Sequence, residues 1–433
     1  MLGVWSFPAA FAADTPTFNK DVAPILFQNC VSCHRPGEAA PFSLLTYVDA
    51  QKKAKSITRV THERYMPPWQ AEPNDFPFVG ERRLTDTQIA TIQKWVEGGA
   101  PQGIGFPPLA PKFTEGWQFG QPDLVLKMTE AYSVPAEGRD IYQNFVIPMG
   151  LKEDKYVTAV EFRPGNRKIL HHSILYTDTS GTARKLDDEF AGPGYRKFGG
   201  PGFQPSGTLG GWVPGATPHP LTNGTARIVH KGSDLVLASH FHPSGKAETE
   251  QSEIGLYFAK QKPQKLMVTI PLMSFLLDIP PGKKDYITSA TFNVPIDIQV
   301  IGIWPHAHLL GKEIRVTATF PDAAGKPTGP KKDLIWIKKW DFNWQDQYQY
   351  KTPVKLPRGT QVVMTHTYDN STDNPANPST PPKRVRWGEQ TTDEMAICFV
   401  NAVPDNPLIA AILNDALTKQ RRSSQVRPRQ SNN

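Results

Sequence analysis

The chain has few cysteines and no long apolar run. Only three of its 433 residues are cysteine, and two of them belong to the motif described next, which excludes a disulfide framework. No stretch approaches the roughly 20 apolar residues of a membrane span, so we expect a soluble protein. The formal net charge of +7 is mild for this length, and no basic, aromatic-interleaved stripe indicates nucleic-acid binding. The 42 prolines and 33 glycines favour many short strands and turns over helical bundles.

Residues 30–34 form a C-x-x-C-H pentapeptide, Cys-Val-Ser-Cys-His. Thiols at this spacing can add to the two vinyl groups of a haem, and the following histidine then lies under the iron as its proximal ligand. A redox dithiol does not need that histidine. A zinc site needs two further ligands nearby, but the remaining cysteine, Cys398, is far along the chain. The motif therefore predicts one covalent haem c, bound by Cys30, Cys33 and His34.

Three segments with helical spacing of apolar residues surround this motif, at 17–26, 46–64 and 84–99. Together with the pentapeptide they resemble the c-type cytochrome domains of bacterial periplasmic proteins over residues 15–105. This resemblance implies a small all-α cytochrome c domain at the start of the chain.

The sixth iron ligand is expected after the haem motif, where similar cytochromes carry a methionine. Met66 lies in the proline-stiffened sequence Tyr-Met-Pro-Pro-Trp and is the first candidate, although it is alternatively a core methionine. His62 is the competing ligand, and it alternatively lies on a helix surface. Both interpretations stay open at this point.

The start of the chain and the haem motif both predict a location outside the cytosol. Residues 2–12 are apolar, and Ala10-Phe11-Ala12 has the A-x-A pattern of a signal-peptidase site. We interpret residues 1–14 as the remnant of a signal peptide, because the segment is short and lacks a positive start. Covalent haem attachment in bacteria takes place in the periplasm. The protein is therefore expected to be periplasmic or secreted.

A second site is indicated by histidines, of which the chain has eleven. Six of them form three tight groups in apolar, strand-like sequences: His171-His172, His240-Phe241-His242 and His306-Ala307-His308. An H-x-H pair on a strand places both imidazoles on one face, where they can share one metal. Adjacent histidines normally point to opposite faces, so the first group requires a bulge or a strand end.

Three such groups favour a metal site, because an imidazole is costly to bury without a partner. Ligation by imidazoles and a thioether suits copper better than magnesium or calcium, and zinc is the main alternative metal. The histidines at 219, 230 and 366 are interpreted as ordinary turn or strand residues.

The histidine groups, together with Asp393-Glu394-Met395, resemble a known family in both content and order. They are similar to the copper type II, ascorbate-dependent monooxygenases, the family of peptidylglycine α-hydroxylating monooxygenase and dopamine β-monooxygenase. The similarity spans about residues 120–405. It implies two consecutive all-β, jelly-roll-like sandwich domains, at 115–263 and 264–405. Each would carry one copper, and the two coppers would face each other across a solvent-filled cleft.

The resemblance also implies the ligands of two coppers and their roles. His171, His172 and His240 would form an all-histidine site for electron transfer, with His242 as the alternative to His240. A second site would bind oxygen and hydroxylate the substrate, and its ligands would be His306, His308 and Met395. A thioether favours Cu(I), the state that meets oxygen. Met364 is the rival thioether, but we interpret it as a core residue.

We therefore expect a multidomain monooxygenase that inserts one oxygen atom of O2 into a C–H bond of an unknown small-molecule substrate. The fused cytochrome would supply or relay the electrons, which come from ascorbate, a quinol or another cytochrome. The alternatives are an electron-transfer or copper-binding protein without hydroxylase activity, and a hydrolytic zinc protein, which leaves the haem motif unexplained. Residues 406–433 are expected to form a terminal helix and a polar, disordered tail.

Overall fold

A computed structural model describes residues 15–38, 40–114, 116–197, 200–213, 216, 218–388, 390–404 and 413. The expected signal-peptide remnant at 1–14 lies outside these residues, as does the expected terminal segment at 406–433 apart from residue 413. The chain divides into two compact units. The smaller unit comprises Met1–Trp69 and Glu81–Phe113, and the larger comprises Gln70–Gly80 and Thr114–Asn433.

The fold class predicted from the sequence is wrong. The part of the chain that the structure describes is mostly β, with 36% strand and 12% helix, and its small sheets have a four-blade, propeller-like arrangement. The described residues contain no sizeable all-α cytochrome domain, and only five short α-helices occur in them. The two jelly-roll-like sandwich domains that the sequence predicts are therefore not the observed arrangement. Local periodicity indicates the type of an element, but the length of a helix and the partners of a strand depend on distant residues.

The smaller unit is built from short helices around an apolar centre. It contains a π-helical turn, Phe18–Val22, and the helices α1 (Ala23–Asn29), α2 (Tyr47–Lys52), α3 (Ala54–His62) and α4 (Asp86–Glu97). Helix α4 begins with a capping box, in which Thr85 and Gln88 satisfy each other's backbone N–H groups. Phe18, Leu26 and Trp95 are completely buried. None of the described helices is long and apolar enough to cross a membrane.

The larger unit begins with eleven strands and one helix, α5 (Thr182–Asp188). The strands are β1 (Leu124–Lys127), β2 (Tyr132–Val134), β3 (Ile141–Pro148), β4 (Lys155–Arg163), β5 (Leu170–Asp178), β6 (Gly207–Trp212), β7 (Thr225–Val229), β8 (Asp234–Phe241), β9 (Glu248–Glu250), β10 (Glu253–Phe258) and β11 (Lys265–Leu266). They form a five-stranded sheet of order β1-β10-β4-β7-β11, a four-stranded sheet of order β3-β8-β5-β6, and the pair β2-β9. The main apolar core of this region lies between these sheets.

Ten further strands complete the larger unit. They are β12 (Val268–Met273), β13 (Asp278–Ile279), β14 (Tyr286–Asn293), β15 (Ile298–His306), β16 (Gly311–Thr319), β17 (Lys331–Ile337), β18 (Tyr348–Leu356), β19 (Gln361–Tyr368), β20 (Val385–Arg386) and β21 (Ile397–Pro404). Two four-stranded sheets have the orders β12-β21-β15-β18 and β14-β19-β16-β17, and β13 pairs with β20.

The pairing of the strands determines which histidines lie next to one another. In the β5–β8 pair His172 lies opposite His240, and the register shifts between Leu170 and His172. The bulge that the adjacent histidines require is therefore confirmed. Strand β15 ends at His306, which pairs with Ile397 at the start of β21.

Residues 70–80 belong to the larger unit, although they interrupt the smaller one in sequence. They run along β17 and β18, where the amide N–H of Glu72 donates to the Trp336 carbonyl and that of Val79 to the Gln349 carbonyl, both at 2.7 Å. The side-chain amide of Gln70 donates to the carbonyls of Asp341 and Trp344, and its oxygen accepts from the Asp341 N–H. Gln70 therefore fixes the loop that precedes β18.

Candidate metal centre

Three histidines form a compact cluster at the β5–β8 pair. The ligand atoms of His171, His172 and His240 all lie within 4.8 Å of one another. Nδ1 of His171 is 3.1 Å from Nδ1 of His172. Two imidazole nitrogens bound tetrahedrally to one metal, each at about 2.0 Å, lie about 3.3 Å apart. The cluster therefore has the spacing of a metal site, as the first histidine groups predict.

A carboxylate orients the third histidine of this cluster. Nε2 of His240 lies 3.0 Å from Oδ2 of Asp140, and Tyr142 stacks on the imidazole with ring centroids 4.3 Å apart. Both ring nitrogens of His240 are buried, and neither makes a hydrogen bond of normal geometry within the described chain. Metal-bound histidines commonly donate their second ring N–H to a carboxylate. With Asp140 beside Nε2, Nδ1 is the ring nitrogen of His240 that we assign to a metal.

His242, the alternative to His240, lies outside the cluster. Its Nδ1 is 2.7 Å from the other Asp140 oxygen, and its side chain is 71% exposed, against 2% for His240. Strand β8 ends at Phe241, so His242 lies beyond the strand and does not share the face of His240, which faces the other two histidines.

Replacing Asp140 with Asn should weaken copper binding at the first cluster by about 10- to 100-fold, because the carboxylate that orients His240 is lost. Copper affinity measured by competition with a chelator tests this. The matched control is Asp154→Asn, because Asp154 pairs with the exposed His230 at 3.2 Å and touches no cluster residue. Equal affinities in the two variants would contradict the role given to Asp140.

Hydrogen bonds of His306 and His308, the second histidine pair, determine which ring nitrogen of each can bind a metal. Nδ1 of His306 lies 2.5 Å from Oε1 of Gln345, and Nδ1 of His308 lies 3.1 Å from the Asp393 carbonyl. Both partners are oxygen acceptors, so each Nδ1 must carry the proton and donate. The lone pairs are consequently on the Nε2 atoms, which are the atoms available to a metal.

Met395, the predicted thioether ligand, follows a residue, Glu394, that is hydrogen-bonded to the backbone of His308. The buried carboxylate of Glu394 accepts from the backbone N–H groups of His308 at 2.9 Å and Leu310 at 2.6 Å. Met395, the next residue, is half-buried. Its rival Met364 is completely buried in β19, which pairs with β14 and β16 in a sheet other than that of His306. This placement favours Met395 as the ligand.

Sequence analysis interpreted His366 as an ordinary strand residue, but its side chain is buried and one of its ring nitrogens has no hydrogen-bond partner. The hydroxyl of Tyr368 donates to the Met395 carbonyl at 2.6 Å, so its oxygen must accept from Nδ1 of His366, 3.2 Å away. Nε2 of His366 is buried without a partner, and burial, with a smaller effect of His306, lowers its pKa to about 3. The available signal was the inward, buried face of β19, which His366 shares with Met364 and Tyr368.

The two histidine groups lie side by side. The rings of His172 and His306 have centroids 6.4 Å apart. Phe342 stacks on His171 at 4.9 Å and meets His308 edge-on at 5.9 Å. The solvent-filled cleft implied by the resemblance therefore does not separate the two groups here, because an aromatic ring fills the space between them.

Burial keeps these imidazoles neutral. It lowers the pKa of His171 to about 3 and that of His306 to about 4, and it holds the pKa values of His172 and His308 well below the ordinary range. Neutral imidazole is the form that binds a metal. The first cluster can therefore hold a metal ion, and its donor set fits copper or zinc.

The haem motif lies directly after helix α1. Nδ1 of His34 is 3.1 Å from the Phe42 carbonyl and donates to it, which leaves Nε2 for an iron. Met66 is half-buried, whereas His62 is exposed at the end of α3. These residues fit covalent haem attachment, and their burial favours Met66 as the sixth ligand.

Comparisons with known proteins add little to this description. No family model matches the chain, and no curated protein matches it. The major capsid protein P2 of bacteriophage PM2 is similar over 65% of this chain and 96% of its own, with a TM-score of 0.24 and 8% identity. A subviral particle of infectious bursal disease virus VP2 has a TM-score of 0.18 and 7% identity, over 70% of this chain and 90% of its own. Likenesses this weak carry no argument.

Proposed function

We propose that the chain is a periplasmic or secreted monooxygenase with one haem c and two coppers. It uses O2 to hydroxylate a C–H bond of a small-molecule substrate, as its resemblance to the copper type II monooxygenases implies. The observation that carries the proposal is the convergence of five neutral histidines, two buried and three half-buried, in two unequal groups. One group has only imidazoles, and the other lies beside a methionine.

The residues around the histidines have distinct tasks in this proposal. His171, His172 and His240 hold the electron-transfer copper, and Asp140 orients His240. His306, His308 and Met395 hold the copper at which substrate reacts. When bound, copper supplies one-electron redox chemistry and oxygen activation. Gln345 and the Asp393 carbonyl hold the second pair in the correct tautomer, and Phe342 excludes water between the groups.

Cys30, Cys33 and His34 would hold the haem, which would supply one-electron redox chemistry for the delivery or relay of electrons. Met66, the proposed axial ligand, is four residues before Gln70 in the chain. Gln70 holds the loop that carries Phe342 against His171 and Gln345 against His306. The haem-binding segment and the segment that holds this loop are therefore continuous in the chain. Ascorbate, a quinol or another cytochrome is the external donor.

An alternative function is electron transfer or copper binding without hydroxylation. The observation in its favour is the short spacing of the His172 and His306 rings, 6.4 Å between centroids, which leaves little room for substrate. The unequal ligand sets favour the enzyme, because a carrier does not need two different sites.

Stopped-flow spectroscopy of the haem band tests the proposal. Reduced haem should be reoxidised by Cu(II) within the intact protein, and copper-free protein should lack this phase. A hydroxylated product should then form when a substrate with a reactive C–H bond is supplied. Haem oxidation that is indifferent to copper would reject the electron path. Copper-dependent oxidation that never yields an oxygenated product would favour the carrier.

A further inference from the structure

The hydroxyl of Thr391 joins the segment that leads to Met395 to the carboxylate beside the first histidine cluster. Oγ1 of Thr391 donates to Oδ2 of Asp140 at 2.5 Å, although the two residues are 251 positions apart in the chain. Oδ2 is also the oxygen that lies 3.0 Å from Nε2 of His240. One carboxylate oxygen therefore contacts both the hydroxyl and the imidazole.

The direction of each hydrogen bond at Thr391 follows from its partners. An ionised carboxylate accepts hydrogen bonds and donates none, so the single hydroxyl hydrogen of Thr391 is used on Asp140. Tyr142 must then donate its own hydroxyl hydrogen to Oγ1 of Thr391, 3.0 Å away. The ring of Tyr142 stacks on His240, with centroids 4.3 Å apart. Both Asp140 and Tyr142, which contact His240, are thus bonded to Thr391.

Thr391 also lies in a tight turn that serves the second histidine pair. The turn is closed by the Asp393 N–H, which donates to the Gln390 carbonyl at 2.7 Å. Oδ2 of Asp393 accepts in return from the Gln390 N–H at 3.1 Å. The Asp393 carbonyl accepts from Nδ1 of His308 at 3.1 Å, and Met395 follows two residues later. A displacement of Thr391 would therefore move the group that orients His308.

The half-buried hydroxyl of Thr391 is the group that restrains the Asp140 carboxylate from the opposite side of His240 in the chain. Oδ1 of Asp140 contacts Nδ1 of His242 at 2.7 Å, but the His242 side chain is 71% exposed. An exposed pair of this kind contributes little. The bond from Thr391 falls instead on Oδ2, the oxygen that faces His240. It is therefore placed to determine how the carboxylate meets that ring.

We propose that Thr391 is a positioning residue shared by the two histidine groups. Its hydroxyl holds the Asp140 carboxylate against His240, and the turn that contains it holds the Asp393 carbonyl against His308. One hydroxyl thereby affects the ligand geometry of both groups. Its importance for metal affinity rests on the proposed function, in which both groups hold copper.

The test is copper binding to the full-length protein in which Thr391→Val removes the hydroxyl and keeps a similar shape. Competition with a chelator measures the first group in the His306→Ala background and the second in the His240→Ala background. Affinity should fall about tenfold at the first group, the lower range for loss of a residue that orients a ligand. At the second group the loss should be about threefold, because one hydrogen bond to the turn is lost and its backbone bonds remain. Thr391→Ser keeps the hydroxyl and should bind normally, as should Thr392→Val, an exposed neighbour on the same turn.

A double-mutant cycle distinguishes positioning from a general loss of stability. If Thr391 acts on the first group through Asp140, Thr391→Val should have little further effect once Asp140→Ala is present, because variants that remove one shared interaction are not additive. Additive losses, unchanged affinity in Thr391→Val, or equal losses in Thr391→Val and Thr391→Ser would each overturn the proposal. If Thr391→Val fails to fold, Thr391→Ala replaces it with the same expectations.

A copper-free measurement separates this role from the proposed function. Ring nitrogen NMR spectra of the full-length, copper-free protein should show one His240 tautomer in the unaltered protein and in Thr391→Ser. Thr391→Val should show a mixture, since Asp140 is then free to turn away from the ring. Unaltered protein that shows this difference but takes up no copper would reject the proposed function and leave the role of Thr391 standing. Normal copper uptake with identical spectra in all three proteins would overturn the role of Thr391 alone.

Discussion

Replacing His306 or His308 with Ala is expected to remove one of two bound coppers and to leave the other copper and the haem in place. Each histidine donates Nδ1–H to an oxygen and offers Nε2 to the metal, so its loss removes a ligand directly. We expect affinity to fall by more than about 100-fold, which is the upper range for loss of a residue that only orients a ligand. Elemental analysis and the Cu(II) EPR spectrum measure this. Hydroxylation should be abolished.

His230→Ala provides the control, because His230 is exposed and lies away from both groups. Met395→Ala should weaken Cu(I) binding at the same site as the His306 and His308 variants. If Met364→Ala alone has that effect, Met395 is not the thioether ligand. Loss of both coppers in His306→Ala would show that the adjacent rings of His172 and His306 belong to one shared centre.

Replacing Cys30 or Cys33 with Ala is expected to remove one thioether link and to impair covalent haem attachment. The covalent haem seen on denaturing gels should then decrease, because only one thioether link can form. Cys398→Ala is the control, since this cysteine is completely buried on β21 and should have no effect on haem. Unaltered protein without covalent haem, matured in a competent periplasm, would refute the motif assignment.

Two variants distinguish between Met66 and His62 as the sixth ligand of the haem iron. Met66→Ala should perturb the low-spin spectrum, because methionine ligation raises the haem potential and sets its absorption. His62→Ala should leave the spectrum unchanged, in keeping with its exposed position. The opposite pattern would identify His62 as the ligand.

Local patterns predicted the candidate site better than they predicted the fold. The bulge at His171-His172 follows from the period of a strand, and the structure contains it. Helix α4 begins at the residues that the sequence indicates, because a capping box is a local signal. The 46–64 segment, in contrast, divides into α2 and α3 at Lys53. The sheet arrangement depends on pairings between distant strands, which periodicity does not contain.

The residues that sequence analysis missed act across long separations in the chain. Asp140 lies 100 residues before His240 and contacts it only because β3 pairs with β8. His366 acquires its environment from Tyr368 and the Met395 carbonyl, which come together through packing.

The most direct test of the account is the metal and haem content of the unaltered protein after expression in a periplasm that matures c-type cytochromes. We expect two coppers and one covalent haem per chain, since two ligand groups and one C-x-x-C-H motif are present. Zinc in place of copper, or no covalent haem, would contradict the proposed haem- and copper-dependent monooxygenase.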